Sequence, residues 1–245
     1  YYAMVAHLDY NIGRLLALLE ERGQKENTLV VFFADHGEML GSHGRFNKEV
    51  AYDEAVRIPL IWRWPGTIPA GARYGKPVSG IDIYPTCAAL CDVPTPPTIQ
   101  GLDMSEGLFG QNESGRDEAL IQWLGKTRYG WGDYPYRAIR TTRYTYCVSS
   151  SEVNLRNGGH FRLLFDNRED PYQLNNLFGK PESADVQRAL HAHVDGQGHR
   201  TSALRGIKQL LFKHLFHANV AVAFAIDIAK DMGAQRPLRI IALVF

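Results

Sequence analysis

The stretch Leu29-Val30-Val31-Phe32-Phe33-Ala34, followed by Asp35-His36-Gly37, decides both the fold class and the position of the chemistry. Six consecutive apolar residues rich in valine and phenylalanine predict a strand that is buried on both faces of a parallel sheet. Open α/β sheets bind their ligands just beyond the carboxyl ends of the strands. A carboxylate and an imidazole at that place are suited to hold a metal ion, and Gly37 is predicted to let the backbone turn away behind them.

The segments around this strand alternate between helix and strand over residues 1 to about 110, which is typical of an α/β domain. An apolar stripe with a 3.6-residue period predicts an amphipathic helix that ends at Arg22-Gly23. The stripe consists of Val5, Leu8, Ile12, Leu15, Leu16 and Leu19. An apolar run over residues 58–62 predicts a second strand, and Asp82-Ile83-Tyr84-Pro85 opens a short helix through Leu90.

From about Asp117 the sequence changes to short alternating strands, which predict a small antiparallel sheet. The predicted strands are Ala119–Trp123, Tyr136–Thr141, Tyr144–Val148 and His160–Phe165. A predicted helix over Glu182–His193 packs on that sheet. The predicted fold class is therefore α/β, a partial sheet with helices, followed by a small α+β subdomain with an antiparallel sheet.

Composition and charge narrow the class of protein. The chain has 245 residues, 45% of them apolar, so it can bury a substantial core. The net charge of +1 gives no reason to expect a nucleic-acid or membrane partner. The apolar segment Asn219–Ile228 is too short to span a bilayer, which needs about 20 residues. Cys87, Cys91 and Cys147 form no CxxC pair, and we expect small buried residues rather than metal ligands.

The amino terminus predicts a fragment. The first helix begins at residue 1 with no capping residue and no initiator methionine, so we expect an amino-terminal half upstream. Any targeting segment would lie in that half, so the compartment is left open. The protein itself is expected to be soluble. Residues 196–245 are expected to be an atypical tail of unknown role, either an unrelated extension or a frame-shifted translation. Within it, an amphipathic helix is predicted at Leu204, Ile207, Leu211 and Leu215, and a strand over residues 240–245.

The loop after the Asp35-His36 pair carries further polar side chains that could gather around the same site. Such a pair can simply cap a turn, but the loop behind it carries Glu38, His43, Arg45 and Lys48. Beside a divalent cation, the Lys48 ammonium would supply the second positive pole that a sulfate or phosphate needs. Arg57 is predicted to pair with a carboxylate of its own segment rather than to contact substrate.

These motifs, taken in order, resemble the second half of the sulfatases, within the alkaline-phosphatase-like superfamily. The resemblance covers residues 1 to about 193. It is carried by Asp35-His36-Gly37-Glu38-Met39-Leu40-Gly41, His43-Gly44, Lys48, Arg57-Ile58-Pro59-Leu60-Ile61, Asp82-Ile83-Tyr84-Pro85-Thr86, Tyr136-Arg137-Ala138-Ile139-Arg140-Thr141 and Asn175-Asn176-Leu177. It implies three segments: the second half of the catalytic α/β domain over 1–115, a carboxy-terminal α+β subdomain over 116–195, and the tail.

The resemblance also implies roles for residues. By this resemblance, Asp35 and His36 are expected to be ligands of a divalent cation, commonly calcium. Lys48 is expected to be the catalytic lysine that contacts the sulfate, and His43 a second substrate-binding residue. Many sulfatases have Asn at the position of His36. Because His also occurs in phosphonate and phosphodiester monoester hydrolases, the metal (calcium, or manganese or a similar ion) and the transferred group stay open.

The family nucleophile, a formylglycine made from Cys or Ser in a C/S-x-P/A-x-R signature, is expected in the missing half, since no cysteine here fits it. This chain alone is expected to be inactive. The predicted function is a metal-dependent sulfuric ester hydrolase acting on a sulfate ester of a small molecule or saccharide. The alternatives are a phosphonate or phosphodiester monoester hydrolase, or an inactive module that binds anions or a partner.

Overall fold

Two four-stranded sheets organise the part of the chain that the computed structural model describes, residues 1–110, 115–123, 135–149, 162–201, 222–227 and 239–244. The α-helices there are α1 (Tyr2–Glu21), α2 (Asp53–Val56), α3 (Ile83–Leu90), α4 (Ser105–Leu108) and α5 (Ala184–Thr201). The strands are β1 (Thr28–Phe33), β2 (Leu60–Arg63), β3 (Glu118–Trp123), β4 (Tyr136–Thr141), β5 (Tyr144–Ser149), β6 (Arg162–Asp166), β7 (Val222–Asp227) and β8 (Arg239–Val244). None of the described helices is long and apolar enough to cross a membrane.

The first sheet has the strand order β2-β1-β8-β7. Strand β1 is the predicted buried strand, with Leu29 and Val31 packed towards α3 and Val30 towards α1. The predicted parallel pairing is confirmed for β8 but was wrong for β2, which is antiparallel to β1. The described sheet is therefore mixed, a common arrangement when an α/β sheet carries an antiparallel edge strand.

Helix α1 covers one face of this sheet, as its apolar stripe predicts. Ile12, Leu15 and Leu16 pack with the buried Leu19 against a cluster that contains Val30 of β1 and residues of β8. The helix ends at Glu21, and Gly23 adopts a φ of +62° just beyond it. A left-handed residue after the last turn is the usual way for a helix to stop, and glycine takes that conformation without strain.

The second sheet confirms the predicted antiparallel subdomain, with strand order β3-β4-β5-β6 and antiparallel pairing throughout. Helix α5 covers one face through Leu190 and Val194. The opposite face packs against Met39 and Tyr52, which follow β1 in the chain. The sheet therefore supports the segment in which the candidate site residues lie.

The carboxy-terminal segment contributes to the first sheet. The strand predicted over 240–245 is observed as β8, and β7 pairs with it antiparallel. Helix α5 continues to Thr201, past the predicted end at His193. The predicted helix through Leu204 and Leu215 lies outside the described residues. The segment boundaries after residues 115 and 195 remain predictions.

Candidate functional site

Gly37 fixes how the chain leaves β1. The Gly37 amide donates to the carbonyl of Ala55 at 2.8 Å, and the Glu38 amide donates to that of Glu54 at 3.0 Å. A Cβ atom on Gly37 would lie 1.9 Å from the Glu54 carbonyl oxygen, so no other residue fits. Gly37 has no positive φ. The predicted reason for this glycine, a free turn, was therefore wrong, and close approach of two backbone segments is the physical reason.

Asp35 and His36 lie together at the end of β1, and each side chain is 37% exposed. The His36 Nδ1 atom lies 2.7 Å from the carbonyl oxygen of Gly37. A carbonyl can only accept, so Nδ1 carries the hydrogen and, in a neutral ring, Nε2 carries a lone pair. That Nε2 lies 3.5 Å from Oδ2 of Asp35. Two electron-pair donors at this separation repel each other unless a proton or a cation lies between them.

The segment that follows folds back on itself. We call residues 37–56 the site loop. Leu40, Gly41, His43, Gly44 and Asn47 all have positive φ values. The Glu38 carboxylate closes the loop, accepting a hydrogen bond from the Asn47 amide at 2.6 Å. Glu38 therefore has a structural role in holding the loop together.

His43 is held between two side chains of the same loop. Its ring stacks on Tyr52 with centroids 4.0 Å apart, and its Nε2 lies 3.7 Å from Oε1 of Glu54. Tyr52 in turn lies against Phe165 of the second sheet. Burial raises the pKa of the Tyr52 hydroxyl above its usual value, so it stays protonated. The His43 side chain is only 12% exposed.

Lys48 is exposed on the site loop, directly after Asn47. Among the described residues no hydrogen bond or ion pair holds its ammonium group, and none joins it to Asp35 or His36. Arg57 is also exposed, and in the described structure it does not form the predicted ion pair with a nearby carboxylate. Asp53 is paired instead with Arg140 of β4, which is 87 residues away in sequence.

This pairing of Asp53 belongs to a network that sequence reasoning missed. Arg140 donates to both carboxylate oxygens of Asp53, at 2.8 and 2.9 Å. The Asp53 amide donates to Oε1 of Gln173 at 2.8 Å, and Gln173, 2% exposed, also donates to Thr145 and Asn167. The network ties the site loop to the second sheet. The alternation of strand residues placed Arg140 on one face of β4, but nothing local identified its partner.

The donors available for a metal are few within the described ranges. No group of three or more His, Cys, Asp or Glu residues that could hold a metal ion occurs there. Asp35 and His36 would supply only two of the ligands that a metal ion needs, and the others would have to come from elsewhere. The three cysteines are free thiols; Cys91 and Cys147 are buried, as predicted, whereas Cys87 is half-buried. Burial raises the pKa of Cys87 to about 12 and that of Cys91 to about 11, so neither thiol is a ready metal ligand.

Comparison with known proteins identifies the family. Residues 1–93 match the family model Sulfatase. An ulvan-active sulfatase of Formosa agariphila is 37% identical over 198 residues, which is 80% of this chain and 37% of that protein. The chain thus spans less than half the length of the relatives it matches.

Solved structures agree in fold. One is a protein in complex with its substrate D-glucosamine-2-N,6-O-disulfate, with a TM-score of 0.70, 30% identity, and coverage of 83% of this chain and 40% of the other. A phosphonate monoester hydrolase of Silicibacter pomeroyi gives a TM-score of 0.65 at 27% identity, covering 78% of this chain and 38% of that one. By its matched amino-terminal residues, its relatives and its fold, this chain belongs to the sulfatase family.

Proposed function

We propose that this chain is the carboxy-terminal part of a metal-dependent sulfuric ester hydrolase. In this proposal Asp35 and His36 ligate a divalent cation, with calcium the first candidate, and Lys48 and His43 bind the sulfate group. The formylglycine nucleophile and the remaining metal ligands would come from the part of the protein that precedes this chain. The chain alone would then be inactive.

The observation that carries the proposal is the approach of His36 Nε2 to Asp35 Oδ2 at 3.5 Å. With Nδ1 hydrogen-bonded to the Gly37 carbonyl, Nε2 of a neutral ring is left with a lone pair beside the Asp35 carboxylate. Metal-binding histidines commonly donate their second ring N–H to a backbone carbonyl in this way. The donor set therefore fits a divalent cation that accepts both oxygen and nitrogen.

The residues of this chain have separable tasks in the proposed reaction. The bound cation would supply positive charge that stabilises the sulfuryl oxygens. The Lys48 ammonium, which the described structure leaves without an ion pair, would donate to a sulfate oxygen and stabilise negative charge developing on the leaving oxygen. His43 is oriented by Tyr52 and Glu54, so its remaining ring N–H would donate to the sulfate.

The test of the lysine uses the full-length protein and 4-nitrophenyl sulfate. Lys48→Ala is expected to lower kcat by about 100-fold or more, since one preorganised donor to a developing oxyanion has that effect. Lys25→Ala is the matched control, because the ion pair that Lys25 forms in the described structure is with Glu20 at the surface. Turnover of Lys48→Ala equal to that of the control would show that Lys48 has no catalytic role.

The test of the metal site measures bound metal directly. His36→Ala and Asp35→Ala are each expected to lower the metal content of the purified full-length protein, determined by elemental analysis. The surface variant His7→Ala serves as control, because His7 lies on α1 and its hydrogen bonds go to Asn11 of the same helix. A metal content unchanged in both site variants would refute the ligand assignment.

A phosphonate or phosphodiester monoester hydrolase is the second candidate. It is favoured by His36 and by the likeness to a phosphonate monoester hydrolase. Comparing kcat/KM of the full-length protein for 4-nitrophenyl sulfate and for 4-nitrophenyl phenylphosphonate separates the two. A preference for the phosphonate, together with manganese in the elemental analysis, would replace the sulfatase assignment.

A further inference from the structure

A cavity of about 900 Å³ lies at one end of the second sheet, bounded by helix α5 and the segment before it. Its described lining contains four cationic side chains, Arg137, Arg162, Lys180 and Arg188, and no carboxylate among the described lining residues. We call it the cationic cavity. The site loop contributes nothing to its described lining.

The strand register explains why the cavity exists. Cross-strand partners share a face of a sheet, and one row across all four strands consists of Leu120, Ile139, Tyr146 and Leu164. Helix α5 packs on this apolar row through Leu190 and Val194. The next row on the same face is Gln122, Arg137, Val148 and Arg162. This polar row borders the cavity, so sheet and helix leave a recess there rather than a packed core.

Few of the cations around this recess have an anionic partner within the described structure. Arg137 and Arg162 flank Val148, and two strand spacings of about 4.8 Å put their backbones about 10 Å apart. Neither guanidinium has an ion-pair partner among the described residues. Lys180 donates to the neutral amide of Asn175 at 2.8 Å. Only Arg188 is paired, with a carboxylate that is 94% exposed, and such pairs contribute little.

Aromatic rings supply an apolar surface beside these cations. Tyr146 and Phe178 lie nearly parallel, with centroids 6.0 Å apart and an interplanar angle of 14°. Trp123 and Tyr136 border the cavity from the opposite face of the sheet, where they also pack with the cluster that includes Met39 and Tyr52. Within the described structure the buried Trp123 Nε1 has no hydrogen-bond acceptor. Tyr146 and Tyr136 are 1% and 4% exposed, so the half-buried Phe178 and Trp123 are the rings that keep accessible surface here. The recess thus combines donors for anions with a small apolar surface that a sugar ring could contact.

We propose that the cationic cavity is a second binding site, which holds sulfate groups of a saccharide at a distance from the ester being cleaved. The identification of the ligand as a sulfated saccharide rests on the proposed function; the anion site itself rests on the cavity. A full-length enzyme with this site would bind sulfated oligosaccharides more tightly than a single sulfated sugar.

The test is a binding measurement by isothermal titration calorimetry on the full-length protein, with a dextran sulfate oligosaccharide as probe. Arg137→Gln/Arg162→Gln is expected to raise the Kd tenfold or more, because each charge-assisted hydrogen bond lost has a large effect on affinity. Arg73→Gln/Arg168→Gln removes the same charge at exposed positions outside the cavity and is expected to change the Kd less than twofold. Unsulfated dextran should show no comparable binding.

Three results would overturn the proposal. They are an unchanged Kd in Arg137→Gln/Arg162→Gln, an equal loss in the matched control, or equally tight, equally Arg137-dependent binding of a single-stranded oligonucleotide of the same charge. Should the double variant fail to fold, the Kd of Lys180→Gln/Arg188→Gln, on the helix side of the cavity, is measured instead and judged by the same three results. Turnover of 4-nitrophenyl sulfate is expected to be unchanged in these variants. Absence of turnover in the unmodified protein would refute the proposed function while leaving the binding test intact.

Discussion

The pairing of Asp53 with Arg140 allows a quantitative test of how the site loop is held. The pair is bidentate, and its side chains are only 14% and 21% exposed. A hydrogen bond to a charged group contributes about 1.5 kcal/mol at the low end, so loss of two by Arg140→Ala should lower the free energy of unfolding by about 3 kcal/mol. That value agrees with the lower end, about 3 kcal/mol, for removing one partner of a buried ion pair.

The assay is a double-mutant cycle measured by urea unfolding. The free energies of unfolding of Asp53→Ala, Arg140→Ala and the double variant are compared with that of the unmodified protein, and we expect a coupling energy of about 2 kcal/mol. The Glu20–Lys25 pair serves as control, because it is as short, 2.7 Å, but 65% and 32% exposed. Exposed pairs are screened by water, so its coupling should be smaller. A coupling energy for Asp53 and Arg140 no larger than that of the control would refute the reasoning.

Three further outcomes are expected. Gly37→Ala would place a Cβ atom 1.9 Å from a carbonyl oxygen and should destabilise the protein by about 3 kcal/mol. Gly13→Ala has open space around it and should stabilise the protein by about 0.5–1 kcal/mol through α1. Both changes are measured by thermal unfolding. Hydrogen bonds from Arg143 lower the pKa of Asp166, so the pair stabilises the fold above the usual carboxyl pKa and loses this effect as the pH falls through the lowered value. In Arg143→Gln the free energy of unfolding should therefore decrease less steeply with falling pH. An unchanged dependence of the free energy of unfolding on pH would contradict this. With its pKa raised to about 12, Cys87 should be alkylated at pH 8 slower than free cysteine by on the order of 100-fold, followed by peptide mass spectrometry.

Local patterns were sufficient for the elements whose packing faces repeat along the chain. The stripe through Leu15 and Leu19 predicted α1, and alternation predicted β4 and β5 within one residue, because periodicity records which face is buried. The pairing of β1 with β8 could not be predicted in this way. About 200 residues separate the two strands, and no local pattern specifies a partner at that distance.

In the candidate site too, the residues set by local sequence could be predicted and those set by distant contacts could not. Asp35 and His36 were predicted from the end of β1, and their mutual approach follows from adjacency in sequence. The need for glycine at Gly37 arises from a backbone 17 residues further on, and the anchoring of Asp53 from a strand in the other sheet. Both depend on three-dimensional contacts, so the sequence indicated the residue types without their physical reason.

The hydrogen-bond network that joins the site loop to the second sheet has a consequence for protein engineering by recombination. Asp53 lies on one side of a crossover placed between β2 and β3, while Arg140 and Gln173 lie on the other. A chimera that takes its carboxy-terminal part from a relative lacking this arginine and glutamine would leave the half-buried Asp53 carboxylate of the site loop without a partner. Grafts between members of the family should therefore transfer the three residues as a set.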